Sequence, residues 1–138
     1  LDESQLREHI QSTTEPEPNR MAFKAVDSAD RMVGYIELNR IDRQNQSASV
    51  SRVIVSPDER GQGYGTTIVR QLLNIGFEDA NLHRIELRVF DFNESAIECY
   101  QKVGFSQEGV LREARRHEGK YWTLVQMSIL EEEWQSDK

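Results

Sequence analysis

The sequence predicts a mixed α/β (α+β) layer in which helices cover a sheet, and three observations carry that reading. Arg84 to Phe90 alternates, with Ile85, Leu87 and Val89 on one side and Glu86, Arg88 and Phe90 on the other, which is the two-residue period of a strand. The stretch from Thr66 to Asp79 places Ile68, Val69, Leu72 and Leu73 on one face, which is the 3.6-residue period of a helix. The order of such segments is helix, three strands, helix, strand, helix, two strands, and that order suits a mixed layer better than a doubly wound parallel sheet.

The elements follow in turn. Ser4 to Thr13 spaces Leu6 and Ile10 four residues apart and predicts a short amphipathic helix, stopped by Glu15-Pro16-Glu17-Pro18. Met21 to Val26 and Met32 to Ile41 read as strands of a hairpin turning at Asp27-Ser28-Ala29-Asp30. Ser47 to Val55 is the third strand, closed by Ser56-Pro57-Asp58. Asn93 opens a helix that runs to about Val103 and ends at Gly104. Phe105 to Leu130 then reads as two strands joined near His117-Glu118-Gly119-Lys120.

At 138 residues, with 37% hydrophobic and 30% charged content, the chain can bury one core without staples. Cys99 is the single cysteine, so an intrachain disulfide is excluded and a zinc cluster is unsupported. A reducing, cytoplasmic setting is expected. The sequence contains no apolar run of membrane-spanning length and no signal-like apolar start. A net charge of -7 argues against a nucleic-acid surface and is compatible with a cationic or amine-bearing partner. Much of the acid, however, sits in Asp2-Glu3, Glu15, Glu17 and Glu131-Glu132-Glu133, where it reads as solvated surface and not as a recognition site.

The chemistry concentrates in Arg60-Gly61-Gln62-Gly63-Tyr64-Gly65, set between the apolar strand end Val53-Ile54-Val55 and the helix that follows. Glycines let a backbone approach an anion closely, and the unpaired N–H groups of a helix's first turn attract it. A tight strand-to-helix turn would use the same glycines.

This run resembles the acyl-CoA signature of the GNAT superfamily of N-acetyltransferases, Gln/Arg-x-x-Gly-x-Gly/Ala. The resemblance continues through Asn93-Glu94-Ser95-Ala96-Ile97-Glu98-Cys99-Tyr100-Gln101-Lys102-Val103-Gly104-Phe105 and through Glu108-Gly109-Val110-Leu111-Arg112-Glu113 with Gly119-Lys120-Tyr121-Trp122. It is closest there to the branch of ribosomal-protein N-terminal and spermidine N-acetyltransferases, and covers roughly Val53 to the C-terminus. It implies one GNAT-like domain over residues 1–138, with a central, mostly antiparallel mixed sheet flanked by helices. That domain would be N-terminally incomplete, lacking the family's usual first strand and helix.

The resemblance also implies roles. Val53, Ile54 and Val55 would meet the pantetheine arm of acetyl-CoA through backbone groups, one N–H polarising the thioester carbonyl. Gly61, Gln62, Gly63, Tyr64, Gly65 and Thr66 would hold the pyrophosphate through backbone N–H groups, and Arg60 would add a cation. Asn93 would touch the cofactor arm, cap its helix, or do both. Tyr100 would protonate the departing thiolate, or pack on the buried face of its helix. A base for the incoming amine is unassigned: some relatives place a glutamate five residues before the asparagine, where this chain has Arg88, and Glu86 and Glu37 are the nearby carboxylates.

Cys99 lies about 100° around the helix from Tyr100 and reads as packing. His9, His83 and His117 are scattered, so no metal is expected. The expected partner is a small-molecule amine or a peptide or protein amino group, with no nucleic acid or membrane. A non-catalytic acetyl-CoA-binding module is the rival, and a homodimer built on Tyr121, Trp122, Leu124 and Met127 is a third reading.

Overall fold

In the computed structural model, which describes residues 10–12, 19–26, 29, 31–55 and 64–136, the predicted alternation becomes one seven-stranded sheet. The strands are β1 (Ile10–Ser12), β2 (Arg20–Val26), β3 (Met32–Asp42), β4 (Ser47–Val55), β5 (Arg84–Phe90), β6 (Ser106–His117) and β7 (Lys120–Leu130). They lie in the order β1-β2-β3-β4-β5-β7-β6. The β4–β5 pair is parallel and the other pairs are antiparallel, as the mixed-layer reading expects.

Helix α1 (Tyr64–Asn74) continues through a π-helical turn at Ile75–Asp79, and α2 is Glu94–Val103. The predicted stripe of α1 is the centre of the core: Ile68, Val69, Leu72 and Leu73 are fully buried, together with Ile36, Leu38 and Ile85 from the sheet. Gly76 in the π-turn packs closely on β5: a Cβ there would stand 2.6 Å from Ile85 Cδ1, the tip of a side chain that would have to shift.

The predicted N-terminal helix is corrected. Its last residues, Ile10, Gln11 and Ser12, form an edge strand paired with Ala25, Lys24 and Phe23; residues 4–9 and 13 lie outside the described residues. A single four-residue spacing is weak support for a helix, whereas β2 offers an open ladder of donors and acceptors. The C-terminal acidic run is also more than surface, since it opens a short helix α3 (Glu131–Ser136). Glu133 Oε1 accepts from the Leu130 N–H at 2.9 Å, and buried Trp134 meets Phe77 with ring centroids 5.2 Å apart. In the C-terminal hairpin, Leu124 and Met127 are buried in the chain's own core, while Tyr121 is exposed. Among the described residues, no helix is long and apolar enough to cross a membrane.

Candidate active site

The site begins where β4 and β5 part. Their parallel register holds for three pairs, Ser47↔Arg84, Ala48↔Ile85 and Ser49↔Glu86. Beyond these, β4 stays bonded to β3 as far as Gly34↔Val55, and β5 stays bonded to β7 as far as Phe90↔Leu124. A register shift between Tyr35 and Glu37 on the β3–β4 ladder supplies the bend, since a bulge turns a strand and increases its twist. The inner edges of β4 and β5 thus face a gap in mid-sheet, and backbone groups that would otherwise join the ladder are open to a ligand.

A cleft of about 290 Å³ fills the gap, bordered by Val50, Ser51 and Val53 of β4, by Leu87 to Phe90 of β5, and by Asn93, Tyr100, Arg115 and Leu124. A second cavity of about 300 Å³ shares Val50, Ser51, Leu87, Arg88 and Arg115 with it and extends to Asn39, Arg40, Ser49 and Glu86. The two are neighbours: Tyr100 and Asn93 border the first only, and Glu86 and Arg40 the second only.

Tyr100 is placed by the way α2 ends. Gly104 takes φ 125°, its N–H bonds to Gln101 O, and the Phe105 N–H bonds to Tyr100 O at 2.9 Å. This is a Schellman stop, in which the residue after the glycine also packs on the residue whose carbonyl it binds. Phe105 does so, with its ring centroid 5.8 Å from that of Tyr100. The Tyr100 hydroxyl has no hydrogen-bond partner among the described residues, and the side chain borders the cleft. Burial, reinforced by Cys99, pushes its pKa up to about 12.

Asn93 caps α2, its Oδ1 accepting from the Ala96 N–H at 3.3 Å, while the residue also borders the cleft. The first turn of α1 is tied to α2 by Thr66 Oγ1 and Cys99 Sγ, 3.3 Å apart. That contact fits Cys99 as a packing residue.

Of the other residues expected to hold a cofactor, Val53 borders the cleft, and Ile54 pairs through its backbone with Tyr35. Val55 pairs likewise with Gly34, and Tyr64, Gly65 and Thr66 open α1. Arg60, Gly61, Gln62 and Gly63 lie outside the described residues.

The two nearby carboxylates differ sharply. Glu37 is buried and engaged, accepting from Tyr35 Oη at 2.8 Å and facing Arg20 Nε at 3.3 Å, and it borders neither cavity. Glu86 borders the second cavity. Its Oε2 accepts from Arg84 at 2.6 Å and from Gln126 at 3.0 Å, whereas Oε1 has only a long contact, 3.4 Å, from Ser49 Oγ. Arg88 stands in both cavities, its Nε donating to Gln126 Oε1 at 2.9 Å. Sequence reasoning missed Ser51, Arg40 and Arg115; Arg115 reaches the site through the β6–β7 hairpin, and local pattern carries no trace of that. Among the described residues, no group of three or more His, Cys, Asp or Glu could hold a metal.

Residues 2–105 match the model of the acetyltransferase (GNAT) family. The spermidine N(1)-acetyltransferase of Vibrio cholerae is 31% identical over 112 residues, covering 81% of this chain and 64% of the relative. That of Escherichia coli is 31% identical over 103 residues, covering 75% and 53%, so the chain spans less than two thirds of either relative. The crystal structure of the Vibrio cholerae spermidine N-acetyltransferase in complex with CoA and spermine superposes with a TM-score of 0.82 at 30% identity, over 86% of this chain and 69% of that one. A mixed sheet with one parallel step that opens into a cleft, a family model matching most of the length, and that structural likeness agree: the chain belongs to the acetyltransferase (GNAT) family.

Proposed function

We propose that the protein transfers an acetyl group from acetyl-CoA to a primary amine by direct attack in a ternary complex. The observation that carries this is the opening of β4 from β5 after Ser49 and Glu86, with Asn93 and Tyr100 bordering the resulting cleft. In this reading the free edge of β4 from Val53 to Val55 pairs with the pantetheine arm, and an N–H of that edge receives the thioester oxygen as it becomes negative. Residues 60–66 bind the pyrophosphate, and Asn93 contacts the arm while keeping its cap.

The acceptor must lose one proton to attack, because an alkylamine is mostly ammonium at neutral pH. Glu86 Oε1 is the carboxylate oxygen best placed to take it, directly or through water. The amine nitrogen then bonds to the carbonyl carbon, the carbon–sulfur bond breaks, and the nitrogen gives up its second proton as the sulfur gains one. Tyr100 serves that last step. A phenol held near 12 is always protonated in the physiological range, so it can donate to the sulfur whenever negative charge grows there.

The spermidine named for the relatives makes polyamines one acceptor class for this chain, and peptide α-amines are another. Arg88, standing where some relatives place a glutamate, favours a second reading as an acetyl-CoA-binding module without turnover. Free-thiol release from acetyl-CoA decides between them, measured against polyamines, amino acids, aminoglycosides and short peptides. Release with any amine supports the enzyme, and a flat panel with acetyl-CoA bound supports the module.

A further inference from the structure

Resting on the acetyltransferase reading, we propose that the cavity bordered by Arg40, Arg88, Arg115 and Glu86 receives the acceptor, and that this acceptor is a small amine carrying its own anionic group rather than a polyamine. The argument is one of charge. Three arginines border the cavity against a single glutamate, and the carboxylate of that glutamate is already bonded to Arg84. Among the described residues no carboxylate pairs with Arg40, Arg88 or Arg115, and all three are exposed. Arginine stays charged and presents a planar fork that fits a carboxylate or a phosphate.

The arrangement divides the cavity by function. Glu86 Oε1, open on one side, suits the reacting ammonium, while the arginines suit an anion elsewhere on the same molecule. A volume of about 300 Å³ is at the small end for ligand sites and fits a molecule of amino-acid size. Spermidine would instead bring further positive charges beside arginines that no carboxylate among the described residues neutralises, a juxtaposition that selects against a partner. The formal charge of -7 does not oppose this, because it is a property of the whole chain, and in the cavity the local balance has the opposite sign.

The test is steady-state thiol release by the purified protein with acetyl-CoA and matched acceptors. Amino acids are compared with their amides, phosphoethanolamine with ethanolamine, and spermidine is run alongside; the first two pairs distinguish a carboxylate from a phosphate. Anion-bearing members should exceed their neutral counterparts at least 10-fold in kcat/KM. Arg40→Glu, at the arginine that borders the second cavity and not the first, should raise KM for the anionic acceptor at least 10-fold and leave KM for acetyl-CoA unchanged. Arg40→Gln, which removes charge without adding any, should give an intermediate loss. Preference for spermidine, or no response of acceptor KM to either variant, would overturn the proposal and leave acetyl transfer standing. Absence of release with every amine, from protein that binds acetyl-CoA, would overturn both.

Discussion

In the proposed reaction Tyr100 is the acid, and its environment sets how it would act. With the phenol near 12 and an ordinary thiol near 8.5, complete proton transfer to the sulfur is uphill by about 5 kcal/mol. Hydrogen-bond donation to the developing thiolate, with the proton following as the product relaxes, is the step this geometry favours. Tyr100→Phe should therefore lower kcat about 100-fold with little change in the KM for acetyl-CoA. Because a raised pKa keeps the phenol protonated, no loss of rate below pH 10 should belong to Tyr100, and the variant's pH profile should keep the parent's shape. A kcat equal to the parent's would remove Tyr100 from the reaction. Its candidacy was legible in the sequence from its spacing after Asn93, but its alternative as a packing residue was legible too. The structure shows the packing, with the ring against Phe105, and puts the side chain at the border of the cleft, where the proposed acid role would need it.

At the scale of elements, the stop of α2 links backbone conformation to that side chain. Gly104 at φ 125° occupies a region that other residues enter only with strain of about 1–3 kcal/mol. Gly104→Ala should lower the unfolding temperature by several degrees and should also reduce kcat, because the bonds from Gly104 and Phe105 to the last turn fix Tyr100. Thermal unfolding and turnover measured on the same variant check both halves. Such a stop can be read from sequence, as can the stripe of α1 and the alternation of β5, because each depends on neighbours within a few residues. Ile10–Ser12 could not be read this way: its strand exists only by pairing with β2. Glu131–Ser136 was hidden for a related reason, since Trp134 is held by Phe77, far away in the chain. Arg115 entered the site by the same kind of long-range pairing. The side of the cleft proposed for the donor is carried by local motifs and could be read from the sequence, whereas the cavity proposed for the acceptor is assembled from β3, β4, β5 and β6 and could not.

Across the whole molecule, the sheet has one narrow seam at its centre, and two consequences follow. On one side of the seam, Arg84 of β5 reaches across β7 to Glu108 of β6 at 2.7 Å. The bond from Arg84 pulls the Glu108 carboxyl from its usual 4.5 down to about 2. A depressed carboxyl stabilises the fold above its unfolded pKa, and that contribution disappears as pH falls from about 4.5 through about 2. Since the pair is partly exposed, it is worth only about 0.5 kcal/mol; Glu108→Gln should flatten this part of the acid stability curve and change little at pH 7. The seam itself gives the more direct test. Only three residue pairs join β4 to β5, so amides of β4 beyond Val50 that point into the gap lack a ladder partner there, whereas those of β5 that point to β7 are paired along the strand. Hydrogen exchange should be fast in peptides covering residues 50–55 and slow in β7. Acetyl-CoA should slow exchange in residues 50–55 and leave β7 unchanged, because the pantetheine arm would complete the missing edge of β4. Protection that appeared only around residues 60–66, with none in β4, would place the phosphates on α1 and deny the arm its seat between the strands.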